Sequence, residues 1–492
     1  MSRGGVLRTK PIEDVLERAG DEGRRLSRRL GPWDLVGFGI GVVIGTGIFT
    51  LTGIEARQHA GPAVAVSFVL AGLVSFLAAL CYAELASSVP TAGSAYTYAY
   101  ATMGEIVAWI IGWDLILEFA LGAAVVSRGW SGYLASLLDL PPRYFGEDSV
   151  VNVGAIGIAL VLGGVAIVGI RESAWLTNLL VVVKVAVCVF VIVLGAFFVR
   201  ADNLSPFVPP AAPPEAESGQ SQSLQQLLFG IEPYAFGWAG VVTAAAVVFF
   251  AYAGFEAVAN LGEESREPQR DLPRGLFGTL AICTVLYVGV SVVITGMVDY
   301  GQIDEGAPIA EAFKSVGVGW AASLISIAAV AGLTSVILVD IVAMGRIGFA
   351  MGRDGLLPAR LGAVHPRWGT PYVITAITTA VVAVLAGFVP LTELANLVSI
   401  GTLAAFVVVS IAVPVLRRTR RDLPRPFRVP LSPVLPGLSA LACLYLATGL
   451  SVQTWVRFLV WLAVGVAVYL LYGRRHARLA SRDRQPADGP PA

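Results

Sequence analysis

Few positions in this 492-residue chain carry groups able to do chemistry away from water, and those few stand apart from one another. Lys184 lies in the run NLLVVVKVAVCVFVIVLG, about nine residues past the start, near 175, of the longer apolar stretch that contains it. At 1.5 Å rise per residue that is about 14 Å into an apolar layer roughly 30 Å thick. An unpaired ammonium at that depth is costly. A lysine that loses and regains a proton is the chemistry it offers; a structural lysine bonded to unwound backbone carbonyls is the alternative. Asp114 and Glu118 are spaced i, i+4, so they share one face of a helix. Facing a cavity they would hold a cationic group; facing neighbours they would tie helices together. Glu118 is the deeper and the better site candidate. Asp340, about one and a half turns before Arg346, reads as a structural residue near a helix end, and Glu84 as a rim residue.

Two glycine-punctuated stretches interrupt apolar runs. The first, DLVGFGIGVVIGTGIFT, places Gly45, Thr46 and Gly47 at mid-run. Glycine costs about 1 kcal/mol in a helix interior. Close helix packing would justify it; local unwinding would also, but only where the freed backbone lines a cavity. In that case the N–H groups opening the second half-helix form a seat for a carboxylate. The second stretch, Phe249 to Glu256, joins aromatic residues, Gly254 and a carboxylate near the middle of a later run. It reads as an aromatic packing layer or as a second break. The pairing of two breaks, five apolar runs apart, points to an inverted repeat with a binding site between its halves.

The elements that position these groups are membrane helices. Hydrophobic residues make up 56% and charged residues 14% of the chain, against about 25% charged in soluble proteins; mean hydropathy is +0.75. A soluble enzyme, a disordered chain and a nucleic-acid-binding protein are excluded by that balance. Twelve apolar runs are long enough to span, near 34–54, 63–85, 103–130, 151–170, 175–199, 239–262, 275–298, 320–344, 371–389, 394–416, 434–451 and 455–472. They are continuous rather than alternating, hence helices and not barrel strands. A cleaved leader is not expected, since the first run follows about 33 polar residues and precedes eleven more.

Formal net charge is zero, but its distribution is lopsided. With the N-terminus inside, inner segments hold 27 of the 34 Lys and Arg residues and outer segments five, with Arg128 and Lys184 left within or beside spans. Both termini are therefore expected in the cytoplasm. The organisation expected is a cytoplasmic segment 1–33, a ten-helix core 34–416, two further helices within 417–472 and a disordered tail 473–492. Residues 200–238 read as an external loop, and IAEAFKSVG near 309–317 as a short external helix. The four cysteines each sit inside an apolar run with neither disulfide nor zinc spacing. The three histidines sit in hydrophilic connections, which removes histidine as an intramembrane metal ligand or proton relay, and no metal or cofactor is expected.

At these motifs the chain resembles the amino acid–polyamine–organocation superfamily, and within it bacterial members of the cationic amino acid transporter family. The stretches that carry the resemblance are LRTK, LGPWDLVGFGIGVVIGTGIFTLTG, CYAELASSVPTAGSAYTYAYATMGE, GWDLILEFALGAAVV, FFAYAGFEAVANLGEESREPQRDLP and RIGFAMGRDGLLP. They cover spans 1–3, 6 and 8 in a consistent order. The resemblance implies an all-α, LeuT-type fold of twelve transmembrane helices, with spans 1 and 6 discontinuous in a 5+5 inverted repeat and two helices added. It implies that amides at Thr46 and Gly47, beside Gly45, hold a substrate carboxylate. Carbonyls of Val43, Phe250 and Ala253 would hold the α-ammonium. Glu118 and the span 6 acid would line the side-chain end, and Lys184 would occupy the place of sodium in sodium-coupled relatives. The family's usual aspartate after the GF of span 6 is Glu256 here, whose extra methylene is expected to reach further into the pocket.

Together these readings lead to an amino acid transporter of the plasma membrane, in contact with lipids, taking cationic or small neutral L-amino acids with a proton by alternating access. An amino acid or polyamine exchanger is the near alternative. A non-transporting sensor and a channel are the remote ones, since the chain shows no added signalling segment and no carbonyl-filter motif. Oligomeric state leaves no mark on the sequence.

Overall fold

The computed structural model describes residue 8 and residues 29–89, 94–147, 149–169, 174–212, 222–230, 235–358 and 360–477. The expectations for most of the segment before residue 29 and for the tail beyond 477 lie outside them. The described chain is helical, as twelve apolar runs in hydrocarbon require: with no water to pair with, each backbone N–H and C=O must be satisfied within its own segment. Eight helical segments have the length and apolarity to cross a membrane, and shorter apolar helices lie at Pro32–Val43, Val153–Val168, Tyr372–Phe388 and Val434–Thr448. Each expected run falls on a helix. Large side chains such as Leu73, Val182, Val193, Ile327, Val384 and Leu441 point outward, so the bundle presents an apolar girdle to lipid rather than a wettable surface.

Spans 1 and 6 are the discontinuous ones. Span 1 runs as Pro32–Val43, leaves the helical path at Ile44 (ψ 99°), and resumes as a widened turn over Gly47–Leu51 and a helix over Thr52–Glu55. Span 6 runs as Gly237–Val248, tightens into a 3₁₀ turn over Phe249–Tyr252, extends at Ala253 (ψ 140°), and resumes over Phe255–Leu261. Around them stand long continuous helices. Span 3 (Glu105–Leu138) packs along span 8 (Gly319–Arg353) and span 10 (Leu391–Thr419), while span 2 (Val64–Ser88) packs along span 7 (Pro268–Met297). The external helix expected near 309–317 is Pro308–Ser315. His59, expected in a hydrophilic connection, instead lies in the helical turn Ala56–Ala60, its Nδ1 2.8 Å from the buried Glu55 carboxylate.

Buried ion pairs fasten the continuous helices at both ends. We call the end at which span 1 begins the inner end. There Glu84, at the end of span 2, accepts two bonds from Arg417 of span 10, at 2.7 and 2.5 Å, and one from the N–H of Val429 at 2.7 Å. At the outer end Arg128 of span 3 donates to the carbonyl of Ala386 at 2.9 Å and pairs with Glu147 at 3.2 Å. Glu147 in turn receives the N–H of Leu391, the first residue of span 10. Burial opposes the Glu147 charge more than the Arg128 guanidinium favours it, which leaves its carboxyl above the usual glutamate range.

Span 12 (Val452–Val468) is held to span 3 by indoles. Trp113 stacks on Trp461 with ring centres 4.5 Å apart and planes 19° apart, and Trp109 stacks on Trp113. Their ring N–H groups donate to the carbonyls of Gly465 and Trp461, at 2.8 and 3.0 Å.

Removing one partner of a buried pair strands the other without compensation. Glu84→Ala is therefore expected to destabilise the protein by about 3 kcal/mol, read as a lowered midpoint of thermal unfolding in detergent. An unchanged midpoint would show that Arg417 and Val429 find other partners.

Candidate functional site

Breaking two helices at the centre of a bundle frees backbone groups in a region without water, and the structure accounts for most of them. At the end of the inner half of span 1, the ladder closes with Ile44 N–H on Ile40 O at 2.9 Å. The carbonyl of Gly41 accepts from the Lys184 ammonium at 2.6 Å. The carbonyl of Val43 accepts from the Tyr287 hydroxyl at 2.8 Å, and that same hydroxyl lies 3.0 Å from the carbonyl of Ala251 in span 6. The carbonyl of Val247 accepts from Ser399 of span 10 at 3.2 Å.

The donors freed at the start of the outer half of span 1 are left open. The N–H groups of Gly45, Thr46 and Gly47 make no backbone hydrogen bond among the described residues. The Thr46 hydroxyl, fully buried, also has no partner there. Three amides and a hydroxyl at a helix N-terminus make an anion seat: the partial positive charge of the helix and the unpaired N–H groups act in one direction.

Glycine is required where the two breaks meet their neighbours. A Cβ on Gly47 would sit 2.4 Å from both Cα and Cβ of Ala251, so spans 1 and 6 touch backbone to backbone there. Gly254 has φ +100°, which a side chain would strain, and a Cβ there would also meet Val42 at 2.7 Å. Gly45 is different: its nearest neighbour, Val336, would lie 3.8 Å from an added Cβ. A side chain there has room.

A cavity opens between the breaks. Span 1 contributes Val43, Gly45, Thr46 and Gly47 to its walls, span 6 contributes Phe250, Ala253 and Gly254, and span 3 contributes Glu118, Phe119, Gly122 and Val126. Spans 8 and 10 close it with Val336, Asp340 and Val398. Seven of the eight residues expected to bind substrate therefore meet at one place. Val43 does so with its carbonyl already accepting from Tyr287; a carbonyl has two lone pairs, which leaves one acceptor position.

Two sequence candidates lie outside the walls. Glu256 does not extend into the cavity: its carboxylate folds back and accepts the N–H of Gly254 at 3.1 and 3.2 Å, capping the second half of span 6. The extra methylene lets the chain curl onto its own backbone, so the expected reach into the pocket is not met. Lys184 stands behind span 1, fully buried, its stem against Gly332 of span 8, where an added Cβ would lie 3.0 Å from Cε. It touches the site through the Gly41 carbonyl. That bond to a carbonyl freed by the break is the contact named by the structural alternative in the sequence reading.

Asp340 requires a correction. The sequence reading made it a structural residue near the inner end of span 8, on its closeness to Arg346; the structure turns it into the cavity wall. Asp114, by contrast, faces span 10, where a Cβ on Gly401 would lie 2.8 Å from its Oδ1. Tyr287 was missed altogether. Its signal was a lone tyrosine in the apolar run LAICTVLYVGVSVV, where a buried hydroxyl must find an acceptor.

Comparison with known proteins agrees with this architecture. Residues 30–471 match the amino acid permease family. The chain is 43% identical over 484 residues to a methylthioribose transporter of Bacillus subtilis, covering 96% of this chain and 99% of the relative. It is 43% identical over 492 residues to a branched-chain amino acid permease of the same organism, covering 97% and 99%. A vacuolar cationic amino acid transporter of Arabidopsis thaliana is 38% identical over 426 residues, covering 85% of this chain and 68% of the relative. With its two broken helices, the cavity between them and a match that runs nearly end to end, this chain belongs to the amino acid permease family and is a multi-pass membrane transporter, not an enzyme.

Proposed function

We propose that the protein is a proton-coupled symporter of L-amino acids, working by alternating access in the plasma membrane with both termini in the cytoplasm. The observation that carries the reading is Lys184: a fully buried lysine whose Nζ holds the Gly41 carbonyl at 2.6 Å, directly behind the break in span 1. In the charged form this is a charge-assisted hydrogen bond, about twice as strong as a neutral one. Loss of the proton weakens the tie between span 5 and the inner half of span 1, so proton occupancy biases where that half-helix rests. A proton entering from outside thereby acts on the same backbone that faces the substrate.

The binding mode follows from the open groups. The substrate carboxylate takes the N–H groups at Gly45, Thr46 and Gly47 with the Thr46 hydroxyl. The α-ammonium takes the carbonyl oxygen of Ala253 and the remaining lone pairs of Val43 and of Phe250, whose carbonyl already accepts the Ala253 N–H at 3.1 Å. The side chain then extends toward Glu118. Main chain reads what all amino acids share, while side chains of spans 3, 8 and 10 meet what differs. Cationic and small neutral L-amino acids are the substrates to test first. Methylthioribose belongs in the same screen, because one relative of equal identity carries that name.

Purified protein in vesicles empty of amino acid, with the outside made acidic, is expected to accumulate substrate. Accumulation only after preloading with amino acid would overturn symport in favour of exchange. Lys184→Ala should lose the response to the pH gradient by about tenfold or more, consistent with the removal of one charge-assisted bond, while the protein still folds and unfolds cooperatively in detergent. Full gradient-driven uptake in that variant would sink the assignment.

A second pair of variants tests the backbone seat. Gly47→Ala, whose methyl would collide with Ala251, should abolish ligand-induced thermal stabilisation. Gly45→Ala, whose methyl has room, should keep most of it. Equal behaviour of the two would count against a seat formed by close approach of spans 1 and 6.

A further inference from the structure

The cavity walls hold two carboxylates, Glu118 and Asp340, and no basic side chain. Both are more than nine-tenths buried, at 6% and 7% exposure. Asp340 makes no hydrogen bond and no ion pair among the described residues, and Lys184, the nearby cation, directs its ammonium at the Gly41 carbonyl instead. A buried carboxylate without a partner is costly and persists where a counter-charge arrives. The carboxylate itself packs against span 3 at Gly122, where a Cβ would lie 3.1 Å from Asp340 Oδ2. Gly122 is one turn from Glu118 on the same helix face, so the two acids converge on one side of the cavity. Neither contributes to the anion seat, which lies at the break in span 1.

Resting on the transport reading above, we infer that Asp340 is the specificity-determining residue at the side-chain end of the pocket. With Glu118 it selects substrates whose side chain ends in a cation. An amino acid bound by its carboxylate at Thr46 and Gly47 directs its side chain away from the span 1 break toward spans 3 and 8. A terminal ammonium or guanidinium placed between the two carboxylates satisfies both, and the fork of a guanidinium meets them in one plane. A neutral side chain leaves both acids desolvated and unpaired, and that penalty is the source of discrimination.

L-lysine and L-norleucine carry the same four-carbon chain with and without the terminal amine, so their uptake ratio in vesicles isolates the charge. Wild-type protein is expected to favour lysine. Asp340→Asn should lower the lysine-to-norleucine ratio by about tenfold or more, the scale for losing one member of a buried charge pair, and Asp340→Glu should retain the preference. If Asp340→Asn does not fold, Gly122→Ala supplies the test, because its methyl presses on Oδ2 and should lower the same ratio. A ratio unchanged in Asp340→Asn or in Gly122→Ala overturns the inference, as does a wild type that favours norleucine. A shift in the pH profile of both substrates with the ratio intact also overturns it, and assigns Asp340 to the proton on Lys184. Wild-type protein that moves no amino acid overturns the transport reading, and this one with it; uptake with an unmoved ratio overturns this one alone.

Discussion

A peptide group that loses its helical partner inside hydrocarbon has no water to turn to, and the centre of this protein is organised around that fact. Span 1 and span 6 both leave the helical path, and the carbonyls so released are met by donors from other helices: Lys184 from span 5, Tyr287 from span 7 and Ser399 from span 10. The donors are long or sit on neighbouring helices, so satisfying the backbone also fixes how spans 5, 7 and 10 stand around the breaks. In span 1 the N–H groups entering the outer half make no backbone hydrogen bond among the described residues. A seat with the geometry for an anion is then a remainder of the hydrogen-bond accounting, not a separate device.

The Tyr287 hydroxyl deserves emphasis within that accounting because it has one proton and two acceptors. Its oxygen lies near the Val43 carbonyl of span 1 and the Ala251 carbonyl of span 6, and it can donate to only one at a time. The two broken helices thus share a single donor at the place where Gly47 brings them into backbone contact. Displacement of one break relative to the other changes which carbonyl is served. The long helices behave differently: Glu84 with Arg417 at one end, and Arg128 with Glu147 at the other, tie spans 2, 3 and 10 into a frame. The protein thus combines a braced surround of long helices with a single hydroxyl shared between its two broken ones.

Much of this was legible in the residues, and what was not has a physical reason. Apolar run length revealed the spans because hydrocarbon permits little else. The glycines at 45 and 47 and at 254 revealed the breaks because glycine within a run needs justification, and Lys184 stood out because charge at that depth does. Tyr287 stayed hidden: a tyrosine in an apolar run looks like packing until its hydroxyl's partner is known, and that partner is backbone on two distant helices. Asp340 was misplaced because distance along span 8 says how deep a residue lies but not which way it faces. Glu256 was over-read for a similar reason, since one more methylene allows a side chain to curl back as easily as to reach forward.

The indole stack between spans 3 and 12 has an optical consequence. Trp109, Trp113 and Trp461 lie nearly parallel in stacked pairs, close enough for their electronic transitions to mix. Mixed transitions split and give a paired band in circular dichroism whose size falls steeply as the rings separate. Nature has in effect placed a ruler across the seam between the transport bundle and its last helix. Recording that band through a turnover would report, without any label, whether span 12 travels with span 3 or stays behind.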